Sequence, residues 1–146
     1  MNCLERKRRQ LRAAGGEYGA ATGRPRRVGG FDVDCFQIWD KDAGLQLCGT
    51  YKAGCAFLYG KIPVCTAYEI DGNRVDTFPS GIEELKCAKP IYEYLPGFQC
   101  DISGCRTVDD LPKAALEYIR YIEKEIECPI KYVSVGAERD AYITMF

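Results

Sequence analysis

Residues 107–135 read TVDDLPKAALEYIRYIEKEIECPIKYVSV and predict a helix followed directly by an apolar strand. We expect the helix to span residues 107–127, with Thr107 and Asp110 capping its start and Pro129 preventing its continuation. Residues 130–135 then have the composition of a strand. Apolar side chains recur at helical spacing on one face of the helix and should enter the core: Leu111, Ala115, Ile119, Ile122 and Ile126.

Upstream of this unit, residues 62–78 contain two β-rich runs around Asp71-Gly72-Asn73, a sequence typical of a hairpin turn. Residues 80–88 predict a short helix, opened by Ser80 with Glu83 as its capping-box partner.

Two further elements complete the predicted fold. A strand over residues 90–98 should stop at Pro96-Gly97, and a helix over residues 5–14 should stop at Gly15-Gly16. The order of strand, helix and strand with an added hairpin predicts a mixed α/β domain.

Length and charge limit the class of protein. A chain of 146 residues with 47% apolar residues predicts one domain over residues 1–146. Its 20 basic and 21 acidic residues give no global charge that favours nucleic acid or a membrane surface. The chain has no apolar run of the roughly 20 residues that a membrane span needs, and its first residues lack the pattern of a secretory signal. We therefore expect a cytoplasmic protein without nucleic-acid or membrane partners.

The cysteines and the absence of histidine restrict the chemistry. Nine cysteines without a CxxC pair predict reduced thiols rather than a disulfide framework. The chain has no histidine, which disfavours a zinc site and removes every Ser-His or Cys-His nucleophile arrangement. No metal ligands are predicted.

Two segments have compositions suited to ligands. Residues 15–30 read GGEYGAATGRPRRVGG, a glycine-rich loop with several arginines that could hold a carboxylate or phosphate. Residues 131–140 read KYVSVGAERD, a strand that runs into Gly136 and a charged turn. Taken alone, the first could be a solvated basic loop, and Gly136 could simply allow a turn.

Five ordered segments together resemble the C-terminal part of adenylosuccinate synthetase: EYGAATGRPRR, IPVCTAYEIDG, YEYLPGF, GCRTVDDLP and IKYVSVGAERD. The resemblance covers residues 5–32 and 60–143. It implies the C-terminal portion of a P-loop-NTPase-like mixed sheet with flanking helices, and we expect this sheet to be incomplete in the chain. The family is a ligase that joins IMP and L-aspartate to adenylosuccinate in AMP synthesis, with GTP cleavage and Mg2+, as a homodimer.

The resemblance also implies roles for individual residues. Thr22, Gly23, Arg24 and Arg26 match the family's loop for aspartate and IMP, and Arg26 would also lie near the GTP γ-phosphate. Ser134, Val135 and Gly136 match the strand end that lines the guanine of GTP. The sequence departs from the family at Ala21, where a second threonine is usual, and at Ala137, where proline is common.

Residues 33–59 are anomalous, because the resemblance stops there. If Tyr51 to Phe57 were encoded TAC AAA GCT GGA TGT GCT TTC, a start one nucleotide later would read Thr-Lys-Leu-Asp-Val-Leu, which contains the family's guanine-reading TKLD. We therefore expect an out-of-frame translation of this segment. Gly54 would then stand where the family has the carboxylate that selects guanine.

By the same resemblance, the family's phosphate loop, catalytic residues and magnesium ligands belong to a region upstream of these motifs. We therefore expect a C-terminal fragment of adenylosuccinate synthetase that is inactive alone and contains no catalytic residue. The alternative is a separate nucleotide- or phosphate-binding or regulatory module that uses the loop arginines without catalysis.

Overall fold

A computed structural model of the chain describes residues 3–36, 48–50, 60–136 and 138–146. It is a mixed α/β structure, as the sequence predicts. Its helices are α1 (Cys3–Ala14), α2 (Ile82–Cys87) and α3 (Lys113–Ile126), with a 3-10 turn at Val108–Asp110. Its strands are β1 (Phe31–Asp32), β2 (Cys48–Thr50), β3 (Lys61–Ile70), β4 (Asn73–Val75), β5 (Lys89–Pro96), β6 (Ile130–Ser134) and β7 (Tyr142–Thr144).

The strands form two sheets. In the first, β3 pairs with β1 in parallel and with β4 and β5 in antiparallel fashion. In the second, β6 lies between β2, its parallel neighbour, and β7, its antiparallel neighbour. Parallel and antiparallel pairs therefore occur together in both sheets.

One apolar core contacts both sheets, and α3 supplies much of it. The five predicted positions of its sequence stripe are all buried, which confirms the interpretation of the helical spacing: Leu111, Ala115, Ile119, Ile122 and Ile126. Val64 of β3 lies in the same cluster as Val133 of β6 and Ile143 of β7, and all three side chains are fully buried. Packing of α3 against strands from two sheets thus holds the described elements together.

The turn between β3 and β4 and the end of α1 both form where the sequence predicts them. Asp71 (φ 50°) and Gly72 (φ 80°) both adopt left-handed conformations between β3 and β4, as a two-residue type I′ turn requires, so the hairpin is confirmed. At the end of α1, Gly16 has φ 60°, and the amide of Glu17 donates to the Arg12 carbonyl at 2.9 Å. This is the pattern of a glycine C-cap.

The predicted start of the long helix is wrong. The carboxylate of Asp110 accepts hydrogen bonds from the Thr107 amide and hydroxyl, but this capping box lies at the start of the 3-10 turn and not at the start of α3. The α-helix begins at Lys113 because Leu111 precedes a proline and is extended, with ψ 134°.

The predicted cap of the short helix is also wrong. The N-cap of α2 is Gly81, with no side-chain hydrogen bond, and Glu83 instead pairs with Lys86 at 2.6 Å. Within this exposed helix, an i,i+3 ion pair has taken the place of the capping box.

The main chain passes close to β3 at Gly30. A Cβ atom at this position would lie 2.4 Å from the carbonyl oxygen of Pro63, a main-chain atom that cannot move independently of β3. Glycine therefore permits the crossing that leads into β1.

Residues 33–36 form a helical turn directly after β1. Asp32 caps it by accepting from the Cys35 amide at 3.0 Å and also accepts from the Tyr68 hydroxyl. Asp34 is only 6% exposed, and its Oδ2 atom has no hydrogen-bond partner among the described residues. Burial of such an oxygen is unfavourable, so Asp34 lowers the stability of the fold.

Most of the anomalous segment 33–59 lies outside the described residues, including Tyr51 to Phe57. Several cysteines in the described part of the chain are free thiols, as predicted for them: Cys35, Cys65, Cys87, Cys100 and Cys105. None of the helices found in that part has the length and apolar character needed to cross a membrane.

Candidate functional site

The glycine-rich segment folds as a compact loop at the end of α1. Tyr18 forms an isolated antiparallel bridge with Pro25, and the Gly19 amide donates to the Arg24 carbonyl at 2.9 Å. Gly23 has φ 64° and donates to the Gly19 carbonyl at 2.8 Å. These bonds bring four of the predicted site residues into one exposed loop: Thr22, Gly23, Arg24 and Arg26.

Thr22 lies inside the turn of this loop. Its hydroxyl oxygen accepts from the Arg24 amide at 3.4 Å, and a Cβ at Gly19 would lie 3.0 Å from the same oxygen. The hydroxyl retains its proton for donation to an anion such as a carboxylate.

The two arginines differ in their surroundings. Arg26 forms an ion pair with Glu17 at 3.5 Å, in which the side chain of Glu17 is 14% exposed and that of Arg26 is 58% exposed. Its carbonyl oxygen also accepts from Nε of Arg12 at 2.7 Å. The exposed Arg24 has no such contact recorded among the described residues. The loop thus offers one tethered and one untethered guanidinium, each able to bind carboxylate or phosphate.

Glu17 and Arg12 were not among the residues predicted from the sequence. A signal for Glu17 exists, because it is the one acidic residue in the glycine-rich sequence 15–30, whose other charged residues are arginines. Arg12 gives no such signal, since its contact with Arg26 crosses 14 positions of the chain.

The second predicted segment lies at the carboxyl end of β6. The Ser134 hydroxyl donates to the Gly136 carbonyl at 3.1 Å, and the amides of Val135 and Gly136 donate to Ala141. The Val135 side chain is 1% exposed and belongs to the core, so only its main chain can contact a ligand. A Cβ on Gly136 would lie 2.9 Å from Cβ of Ala141, which explains the need for glycine there.

The ends of two parallel strands meet beside this segment. Thr50, the last residue of β2, is in register with Val133 of β6, so both strands end at the same edge of their sheet. Ligands of α/β proteins commonly bind outside the carboxyl ends of such strands. This arrangement places Ser134 and Gly136 at an edge of the sheet that is suited to a ligand.

Other parts of the described structure do not add to this site. A cavity of about 410 Å³ lies beside the β3–β4 turn, and its lining residues include none of the predicted site residues: Ile70, Asp71, Asn73, Val75, Thr77, Phe78, Pro79, Ser80 and Glu84. Within the described ranges, no group of three or more cysteine, aspartate or glutamate side chains could hold a metal ion. The described residues therefore do not fit a magnesium site.

Comparisons with known proteins agree with the resemblance of the five segments. The family model described as adenylosuccinate synthetase matches residues 2–143. The chain is 40% identical over 136 residues to the adenylosuccinate synthetase of Pelobacter propionicus, covering 93% of this chain and 32% of that protein. It is 41% identical over 136 residues to the enzyme of the same name from Synechococcus sp. (strain CC9902), covering 93% of this chain and 31% of that protein.

A solved structure gives the same result. The fully ligated adenylosuccinate synthetase from Plasmodium falciparum superposes with a TM-score of 0.89 and 29% sequence identity, covering 95% of this chain and 34% of that one. The chain thus spans about a third of the length of the relatives that it matches, at 32% and 31% of the two curated proteins. With a family model matched over nearly its whole length, the chain belongs to the adenylosuccinate synthetase family.

Proposed function

We propose that this chain supplies the aspartate- and IMP-binding loop and part of the guanine pocket of a cytoplasmic ligase that forms adenylosuccinate. The reaction joins IMP to L-aspartate with cleavage of GTP. The observation that carries the proposal is the match of the family model over residues 2–143. The loop geometry supports it, because glycine turns and exposed arginines suit the capture of small anions.

Within the loop, Arg24 contacts IMP and the incoming aspartate, and Thr22 donates its hydroxyl proton to the aspartate carboxylate. Gly23 provides the left-handed turn that exposes these groups. Arg26 lies near aspartate and the γ-phosphate of GTP. A guanidinium can form two parallel hydrogen bonds to either kind of anion, which lysine cannot do.

At the end of β6, Ser134 and the main chain of Val135 and Gly136 contact the guanine base. The common edge of β2 and β6 supports this role, because TKLD would directly follow β2 in the shifted reading frame. We further propose that the segment 33–59 is translated out of frame. The carboxyl oxygen of Asp34 supports this, because it is buried without a hydrogen-bond partner among the described residues. Evolved proteins rarely bury a polar atom in this way, so an aspartate at this position is easier to explain if the segment was not selected for this fold.

The proposed chemistry requires groups beyond the loop and the base pocket. The family's magnesium, phosphate loop and catalytic residues would stabilise the charge that develops during phosphoryl transfer. The described residues supply no metal cluster, and none is assigned a catalytic role. We therefore propose that the chain does not turn over substrates alone, and that the complete site belongs to a homodimeric enzyme.

Titration calorimetry with IMP, GTP and aspartate, together with an assay for adenylosuccinate, tests this proposal. Arg24→Gln should weaken the binding of IMP, whereas the matched Arg9→Gln variant, also at an exposed arginine, should not. Formation of adenylosuccinate by the purified chain would contradict the proposed inactivity. Tight saturable binding without turnover, and without any dependence on Ser134, would instead favour the separate binding module.

The proposed cleft needs its own test. If Thr22 to Arg27 and Ser134 to Gly136 form two walls of one cleft, GTP and IMP together should shift the amide resonances of both segments. The β3–β4 turn serves as the internal control, since the proposal assigns it no ligand. Shifts confined to one segment would reject the shared cleft.

The reading-frame proposal is decided by the nucleotide sequence. A single-base shift within the codons for residues 33–59 should restore Thr-Lys-Leu-Asp. A sequence in which no such shift restores this motif rules out the proposal.

A further inference from the structure

Three residues close a ring at the base of the glycine-rich loop. The Glu17 amide donates to the Arg12 carbonyl at 2.9 Å, and the Arg26 amide donates to the Glu17 carbonyl at 3.0 Å. Nε of Arg12 then returns to the Arg26 carbonyl at 2.7 Å. Each residue thus donates to one member of the ring and accepts from the other.

A fourth contact lies across this ring. The guanidinium of Arg26 pairs with the carboxylate of Glu17 at 3.5 Å. Arg26 is therefore held through its amide, its carbonyl and its side chain, although its side chain remains 58% exposed. The exposed part of the guanidinium is available to an anion while the main chain below it is fixed.

The last turn of α1 supplies the rigid side of the ring. Gly16, with φ 60°, ends the helix so that Glu17 can bond back to Arg12. Arg12 itself is helical, and its side chain crosses directly to the far strand of the loop. Helix α1 is thereby connected to Arg26 by a bond that does not follow the chain.

We propose that Arg12 and Glu17 are positioning residues, which hold Arg26 in the orientation needed to bind its anionic ligand. This inference rests on the proposed function for the identity of the ligand, whereas the ring itself does not depend on it. Arg12 acts on the main chain of Arg26, and Glu17 acts on both its main chain and its guanidinium. Pre-organisation of this kind lowers the entropy lost when the loop binds its ligand.

Amide hydrogen exchange, measured by NMR on the full chain without ligand, tests the ring. Arg12→Gln removes the bond to the Arg26 carbonyl, so the amides of Gly19 and Arg26 should exchange roughly 2- to 10-fold faster. Arg12→Lys keeps a donor and a positive charge and should recover part of the protection. Arg9→Gln removes the same charge from an exposed position of α1 and should leave both rates unchanged.

A second measurement separates the ring from the ligand. L-Aspartate, the probe because Arg26 is assigned to it, is titrated up to millimolar concentration while the resonances of the loop are followed in each variant. We expect weaker binding by Arg12→Gln, by roughly 2- to 10-fold, and binding by Arg9→Gln equal to that of the parent chain.

The outcomes have distinct meanings. Equal exchange rates in Arg12→Gln and the parent chain would overturn the positioning role, and so would equal affinities for L-aspartate. Faster exchange in Arg12→Gln, with no response of the parent loop to L-aspartate, would retain the ring but reject the proposed function of the loop. Circular dichroism of each variant verifies that α1 and the rest of the fold are retained.

Discussion

Replacement of Asp34 by valine should stabilise the fold. The side chain is 6% exposed, and its Oδ2 atom has lost its contacts with water without gaining a hydrogen bond from any residue that the structure describes. An unpaired buried polar group costs about 1–3 kcal/mol. For a domain of this size, that amount corresponds to an increase in Tm of roughly 2–12 °C.

The effect should depend on pH. Burial first, and then the charges of Asp32 and Asp76, raise the pKa of Asp34 above its ordinary value of 3.8, while Arg74 opposes the shift. A raised pKa means that the folded state favours the protonated acid. The carboxyl therefore costs least stability below pH 3.8, and its cost grows as the pH rises from there through the folded pKa.

Thermal unfolding, followed by circular dichroism between pH 3 and pH 8, measures both effects. The gap in Tm between Asp34→Val and the parent chain should widen as the pH rises from about 4 towards neutrality. Asp34→Asn removes the charge but keeps a polar group, so it should flatten the pH dependence with a smaller gain. Asp140→Asn, at an exposed site, is the control. A Tm for Asp34→Val at or below that of the parent at pH 7 would refute the reasoning.

Three other substitutions test the packing and the electrostatics of the fold. Gly30→Ala should lower the stability by about 1–3 kcal/mol, since its Cβ would lie 2.4 Å from the Pro63 carbonyl oxygen. The control is Gly29→Ala, whose Cβ would have no atom of the described residues within 4 Å. Equal denaturant midpoints for the two variants would contradict this contact. Ile122→Ala, at a fully buried position of α3, should cost about 2–5 kcal/mol in urea unfolding, and a loss no larger than that of the exposed Ile82→Ala would argue against the packing of α3. Asp110→Asn should lower Tm at pH 7, and this loss should shrink as the pH falls below 3.8. Hydrogen bonds from the Arg106 amide, and then from Thr107, hold the pKa of the Asp110 carboxyl below 3.8, so its contribution is present above that pH and is lost as the pH falls through the folded pKa. A loss of Tm that does not change with pH would show that its charge is irrelevant.

Local sequence signals predict the elements that local physics determines. Helical spacing alone identifies the apolar stripe from Leu111 to Ile126. The turn at Asp71-Gly72 is predictable because these two residue types tolerate a left-handed backbone. The same holds for the end of α1 at Gly16. In each case the residue types and their spacing are sufficient, because the energy that selects the structure comes from neighbouring residues.

Tertiary pairing determines the elements that the sequence did not predict. β1, β2 and β7 have only two or three residues each, and they are strands because β3 and β6 lie beside them. For the site, family motifs identify the loop and the strand end. They do not identify Arg12, whose role depends on a contact with Arg26 that only the fold creates.

The order of the strands in the second sheet has a consequence for synthesis of the chain. β6 pairs with β2, which is made much earlier, and with β7, which is made later than both. The fully buried Ile130, Val133 and Ile143 cannot pack until these segments have left the ribosome. Because pairing between distant segments is slow, apolar side chains of the nascent chain should stay exposed until β7 has been made, and chaperones should be needed before that point.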